Sequence, residues 1–436
     1  MTTITTGPLH VGLIYWDPFT PGGVQSQVAG RIEHLGYPDG PVRYTLFSKQ
    51  PPPDPHPWPH VRTETFSGWD RLSIAVSEYT ASRDLAGKLD QVHAQDPFDL
   101  LDLHAGGTGP VIARWSRRRC VPYVFTSHSA RFADGNHNFR WEVARYYAWS
   151  NRSAAAGAAR INAVSGFLKQ TWVRLGFPAD AIDVQHTAIS GHSSSDARVA
   201  WGRTGAFNVL FVGRETAEKG LDVLLEAIRL CTQTHAVDDE TSRSSFNRAP
   251  TGSASAVPTS GEAPRAPRWV AVKRVDAHVV GHADRPLLLT VVGEVAAESP
   301  LREMVDRHGL PVEFLGQRPN GQVRDLLSEA DLVVIPSRYD ACPVLAIEAM
   351  YAGALIVATR VGGLAEQIED GISGMLVPAE DPQAIAHAIT GIAGAPEEYQ
   401  HLRAGARRRS EKFLWSARSA EILRQYHAVC RRTTAA

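Results

Sequence analysis

Short apolar runs ending in polar or glycine-bearing turns alternate along this chain with stretches in which apolar residues recur at helical spacing. The first run, VGLIYW at 11–16, is too short for a helix and stops at Asp17-Pro18, which predicts a buried strand. A turn with Pro21, Gly22 and Gly23 follows, and then Val24, Val28, Ile32 and Leu35 fall on one helix face. Strand, glycine turn and helix in that order open a doubly wound α/β domain. The pattern repeats at 99–107 (DLLDLHAGG, a strand end and its loop), at 121–129 (VPYVFTSHS, ending near His128), at 160–165 (RINAVS) and at 182–185. Strands that end in polar or glycine-rich loops are where open α/β sheets bind ligands.

The apolar pattern lapses over 190–205 (SGHSSSDARVAWGRTG), which places a domain linker there. A second α/β series then begins. Strands are predicted at 207–212, 286–294, 312–316, 331–337 and 354–359, and Leu221, Leu224, Leu225 and Ile228 mark a helix after the first of them. Their Val/Leu/Ile content suits strands buried on both faces, as in a parallel sheet. One stretch breaks the alternation. Within 241–270, twenty of thirty residues are Ser, Thr, Pro, Gly or Ala, too little apolar surface to offset the entropy of ordering. The reading is a disordered insertion over 236–285. The domains expected are 1–198, 206–405 with that insertion, and a final helix within 410–436.

Composition narrows the functional classes. Lys plus Arg number 45 and Asp plus Glu 46, so the net charge is −1, and a protein held to nucleic acid by bulk charge is excluded. No apolar run reaches the roughly 18–20 residues of a membrane span, and residues 1–10 lack a basic stretch followed by an apolar one, so a cytoplasmic protein is expected. Cys120, Cys231, Cys342 and Cys430 lie far apart, with neither CxxC nor zinc spacing, which predicts reduced thiols and no structural metal. The basic run Arg114, Arg117, Arg118 and Arg119 permits at most a peripheral contact with anionic lipid.

Candidate chemistry concentrates in two segments of the second half. In RYDACPVLAIEAM (338–350), Asp340 sits at a strand end entering a helix, and Glu348 lies on that helix among Val344, Leu345, Ala346, Ile347, Ala349 and Met350. A carboxylate in so apolar a stretch needs a partner. The vicinal hydroxyls of a ribose would supply one, as would an arginine; Asp340 by itself reads as a helix N-cap. In FVGRETAEKG (211–220), Gly213 ends a strand, and Arg214 and Lys219 stand beside the start of the next helix. Two cations at a helix N-terminus make a pyrophosphate site without a metal. Gly22 and Gly23 let backbone N–H groups approach a ligand, but neither they nor HAGGTG (104–109) form GxGxxG, so nicotinamide binding is disfavoured.

Together these pieces resemble the retaining glycosyltransferases of family 4, which have the GT-B fold. That family's Glu-x7-Glu segment is matched by Asp340 and Glu348, and its Gly-Arg…Lys-Gly segment by Gly213, Arg214, Lys219 and Gly220. Its early Gly-Gly loop is matched by Gly22 and Gly23, and its Thr-x-His by Thr126, Ser127 and His128. Gly362, Gly363 and Glu366 match its Gly-Gly-x-x-Glu, and Asp370, Gly371 and Gly374 its Asp-Gly-x-x-Gly. The resemblance implies two Rossmann-like domains facing across a cleft, with the last helix crossing back to the first domain. It implies that a nucleotide sugar is held by Glu348, Val344, Leu345, Gly213, Gly22 and Gly23. Asp340 would touch the transferred hexose-like sugar, Arg214 and Lys219 would neutralise the diphosphate, and His128 would face the reacting centre. It further implies retention of configuration, no cofactor or metal, UDP ahead of GDP or ADP, and a small-molecule, natural-product or glycolipid acceptor.

Three departures stand out. Asp340 replaces the usual first Glu, Cys342-Pro343 the common Phe-Gly, and HTAIS (186–190) stands where many members show Asn-Gly. Competing readings are a non-hydrolysing sugar-nucleotide epimerase and a catalytically dead nucleotide-sugar sensor docking through 236–285.

Overall fold

The computed structural model describes residues 7–20, 22–67, 74–104, 106–129, 141–191, 205–242 and 285–434. The first domain contains β1 (Leu9–Ile14), α1 (Gly23–Leu35), β2 (Val42–Ser48), β3 (Arg62–Thr65), α2 (Ile74–Gln95) and β4 (Leu100–Leu103). It continues with α3 (Gly109–Arg119), β5 (Tyr123–Ser127), α4 (Trp141–Gly157), β6 (Arg160–Ala163), α5 (Gly166–Arg174) and β7 (Ile182–Val184). All its ladders are parallel, in the order β3-β2-β1-β4-β5-β6-β7. Strand β1 is buried along its whole length, LHVGLI, because helices cover both sheet faces. The strand expected at 11–16 runs two residues earlier. Beyond the strand, Tyr15 donates its N–H to Phe47 O and Trp16 O accepts from Lys49 N–H before the chain turns at Asp17-Pro18.

The second domain contains β8 (Phe207–Val212), α6 (Leu221–Ser242), β9 (Leu287–Val292), α7 (Pro300–His308), β10 (Val312–Gly316), α8 (Asn320–Glu329) and β11 (Leu332–Ile335). It continues with α9 (Val344–Ala352), β12 (Leu355–Thr359), α10 (Leu364–Gln367), β13 (Met375–Val377), α11 (Pro382–Gly394) and α12 (Gln400–Ser410). Its parallel order is β10-β9-β8-β11-β12-β13. Helix α6 runs to Ser242, past the expected start of the insertion at 236, because residues 232–242 contain no Gly or Pro to stop it. The rest of the expected insertion, 243–284, lies outside the described residues, as does 192–204 of the expected linker.

Among the described residues, two segments at the domain boundary lie side by side. Ile189 N–H donates to Phe413 O at 2.9 Å, and Trp415 N–H donates to Ile189 O at 3.0 Å. The final helix, α13 (Trp415–Thr434), then packs on the first domain, burying Trp415, Ile422, Tyr426 and Val429 against α1 and the sheet. Each such side chain contributes roughly 1.5–3 kcal/mol by leaving water. Gly30 of α1 permits the contact: a Cβ there would lie 2.1 Å from the Trp415 ring. Among the described residues no helix is long and apolar enough to cross a membrane.

Candidate active site

Two loops at the strand ends of the second domain are stapled together. Arg338, following β11, forms a bidentate pair with Asp222 of α6 at 2.7 Å and also meets Glu380, which pushes its pKa up. Its N–H donates to Glu218 O at 2.7 Å. Gly293 at the end of β9 has φ 139°, and a Cβ there would lie 1.9 Å from Gly213 O, so the turn carrying Arg214 closes only over glycine. The result brings Lys219 and Asp340 together, Nζ to Oδ2 at 2.6 Å, both partly exposed. Gly213 lies beside the Lys219 stem, and Gly363 N–H donates to Asp340 O at 2.9 Å.

Asp340 is therefore not the N-cap of α9. Pro343 holds that position and makes no side-chain cap. Gly22, at the N-cap of α1, makes none either, and a Cβ on Gly23 would lie 3.5 Å from Val344 Cγ2. Two uncapped helix N-termini from different domains thus meet, and both favour negative charge. Leu345 follows Val344, partly buried beside the core of the second domain.

Glu348, one turn further along α9, has no hydrogen bond or ion pair among the described residues. Burial raises its carboxyl to about 7, and the charge of Arg324 offsets this only in part. The arginine salt bridge that would have explained it is absent there. Arg214 is exposed and likewise makes no ion pair among the described residues.

His128 has a different setting. Its Nε2 lies 2.9 Å from His104 Nδ1, and the two rings stack at 5.1 Å. No hydrogen bond or ion pair links it to Asp340, Lys219 or Glu348 among the described residues. Behind His104, Asp102 Oδ1 is 3.3 Å from its Nε2. Asp102 is fully buried and is also bonded by Arg31 Nε at 2.9 Å and by Tyr426 of α13. Burial alone would raise its pKa, but His104 and Arg31 hold it well below the carboxylate range. Burial pushes both histidines below the ordinary imidazole value, His128 strongly so.

The domains are clasped next to this network. Glu366 of the second domain accepts from the N–H groups of Gly166 (2.7 Å) and Phe167 at the start of α5, while Ser165 accepts from Leu168 N–H. His186 Nε2 lies 3.4 Å from the same carboxylate. Burial would raise the pKa of Glu366, but His186 and the two backbone donors bring it down. Thr187 meets Cys342 Sγ at 3.1 Å, and Gln27 pairs both backbone groups of Ala188. The atypical HTAIS segment is thus the hinge itself. Asp370 receives Leu376 N–H and meets Arg360, so the Asp-Gly-x-x-Gly piece shapes the turn into β13. Of the basic run, Arg118 and Arg119 pair with Asp90. Sequence reasoning passed over Asp102, His104 and the clasping role of Glu366. The i, i+2 placement of Asp102 and His104 on one strand face was a visible signal.

Two family models match the chain: a glycosyl transferase 4-like domain over residues 22–187 and glycosyl transferases group 1 over residues 271–409. Together they span more than two thirds of it. A D-inositol 3-phosphate glycosyltransferase from Frankia alni is 27% identical over 351 residues, 77% of this chain and 76% of the relative. A protein of that same name from Jonesia denitrificans is 33% identical over 150 residues, 33% of this chain and 35% of the relative. The crystal structure of Anabaena HepE in complex with UDP-glucose superposes with a TM-score of 0.69 at 18% identity, covering 96% of this chain and 100% of that one. WaaG, a glycosyltransferase of lipopolysaccharide biosynthesis, gives 0.65 at 14% identity over 94% and 98%.

Proposed function

The chain belongs to the family 4-type glycosyltransferases, with two parallel-sheet domains in the GT-B arrangement, and from that premise we propose that it moves a hexose-like sugar from UDP to a hydroxyl of a small-molecule acceptor, with retention and without a metal. The observation that carries this reading is the pairing of Lys219 with Asp340 on the segment that leads to Glu348, a carboxylate without a protein partner among the described residues. Glu348 accepts the two ribose hydroxyls, and Asp340 meets a hydroxyl of the transferred sugar. Arg214, Lys219 and the uncapped starts of α1 and α9, with Gly22, Gly23, Gly213, Val344 and Leu345 around them, receive the diphosphate as its negative charge grows. The ligand-bound HepE structure favours UDP, and the name of the Frankia alni relative favours a polyol phosphate among small acceptors.

A thermal-shift series with UDP, GDP, ADP and their sugars tests the donor. Stabilisation by UDP and UDP-sugars that is lost in Glu348→Ala is the expected result. Equal shifts in wild type and variant would misplace the site, and an inverted anomeric product by NMR would remove the retaining mechanism.

A further inference from the structure

The Asp102–His104–His128 row has no role in the reaction proposed above, yet its geometry is directional. Strands β4 and β5 are paired in register, Leu103 opposite Phe125, so the side chains at their ends are held by the sheet itself. Asp102 is anchored by Arg31 from α1 and by Tyr426 from α13. His104 Nε2 makes no hydrogen bond among the described residues but has Asp102 Oδ1 3.3 Å from it, and its Nδ1 faces His128 Nε2 at 2.9 Å. His128 Nδ1 has no hydrogen-bond partner among the described residues. The ring lines a small cavity of mixed polar and apolar lining under the hinge, together with Gln27, Arg31, His186, Trp415, Arg418 and Glu421.

A bare imidazole nitrogen against a carboxylate sets lone pair against lone pair, so His104 carries its proton on Nε2. Its Nδ1 is then an acceptor, and the 2.9 Å contact requires that His128 donate from its own Nε2. The doubly protonated alternative for His104 fails on charge: Arg31 already matches Asp102 in a fully buried setting, and a second cation there would be uncompensated. Both rings are therefore neutral, in agreement with the downward push of burial and of Arg31 on each.

We propose that Asp102 and His104 are positioning residues that fix His128 as the Nε2–H tautomer, so that its Nδ1 presents a lone pair to a substrate hydroxyl at the domain junction. The tautomer stands on this geometry alone; its use on a hydroxyl rests on the glycosyl-transfer reading. The charged and titratable groups facing the pair are Arg31, Asp102 and Tyr426 on one side and His186, Arg418 and Glu421, itself paired with Arg418, on the other.

Long-range proton–nitrogen NMR of the full chain labelled with 15N-histidine reads the tautomer directly, with the His128 signals assigned by their loss in His128→Gln. Wild type is expected to show His128 protonated on Nε2 alone from pH 6 to 8. His104→Gln keeps a donor toward Asp102 and an acceptor toward His128, so it should preserve that spectrum. His104→Leu removes both and should release His128 into a mixture of tautomers, with UDP release from UDP-glucose slowed about tenfold while His104→Gln stays within about threefold of wild type. A wild-type His128 protonated on Nδ1, or a cationic pair across that range, overturns the proposal, as does a His104→Leu spectrum identical to wild type. Should His104→Leu not fold, the wild-type and His104→Gln spectra still decide. A wild type that releases no UDP counts against the glycosyl-transfer reading and leaves the tautomer result standing.

Discussion

The two halves of the domain junction are built on opposite electrostatic plans. On the proposed donor side, charged groups are partly exposed and few in partners: Lys219 has Asp340, while Arg214 and Glu348 have no ion pair among the described residues. On the hinge side, charge is matched: fully buried Asp102 against Arg31 and Tyr426, and half-buried Glu366 against two backbone N–H groups and His186. A site that must take a charged ligand keeps its own charges unspent, whereas a joint that must hold its shape satisfies them internally.

Removing a donor-side cation should break this contrast most sharply. Lys219→Ala should lower kcat with a UDP-sugar by about 10²–10³, since a preorganised charge at the leaving group is lost. Arg214→Ala should act in the same direction, with nucleotide affinity changed less than kcat. Steady-state kinetics checks both.

Glu348 offers a test of the cost of leaving a charge unpaired. Its folded pKa, about 7, lies above the ordinary 4.5, so ionising it in the folded protein is penalised. The penalty is absent below pH 4.5, grows above it and is complete above pH 7, at up to about 3 kcal/mol. Glu348→Gln should therefore melt higher than wild type at pH 8 and equally near pH 4.5. A smaller effect is expected on binding. Glu348→Ala should weaken UDP by roughly 10–100-fold, the worth of charged hydrogen bonds, and wild-type affinity should rise from pH 6 to pH 8 as the carboxylate ionises. Titration calorimetry at those two pH values reads it.

The hinge should respond least per group, because its bonds are many. Glu366→Ala should cost about 1–2 kcal/mol by urea unfolding and speed hydrogen exchange at Gly166 and Phe167, while the donor loops stay intact. A loss of nucleotide binding as large as that of Glu348→Ala would erase the distinction between the two sides.

Local pattern alone was enough for much of this molecule. Short apolar runs marked strands in both sheets, but not β2, the polar RTET of β3 or the three-residue β13; Gly-Arg…Lys-Gly with Asp-x7-Glu marked the proposed donor loops, because a strand end, a turn and a helix start are contiguous in the chain and their spacing carries their geometry. What lay beyond it involved partners far apart in sequence. Asp340 read equally as an N-cap until Lys219, 121 residues away, was found beside it. Glu366 lies 200 residues from the N–H of Gly166, and Tyr426 lies 324 residues from Asp102. No local propensity encodes such pairs. Whether a charged side chain becomes a ligand group or a strut depends on which surfaces two domains and a returning helix bury together, and that is decided only when the chain has closed on itself.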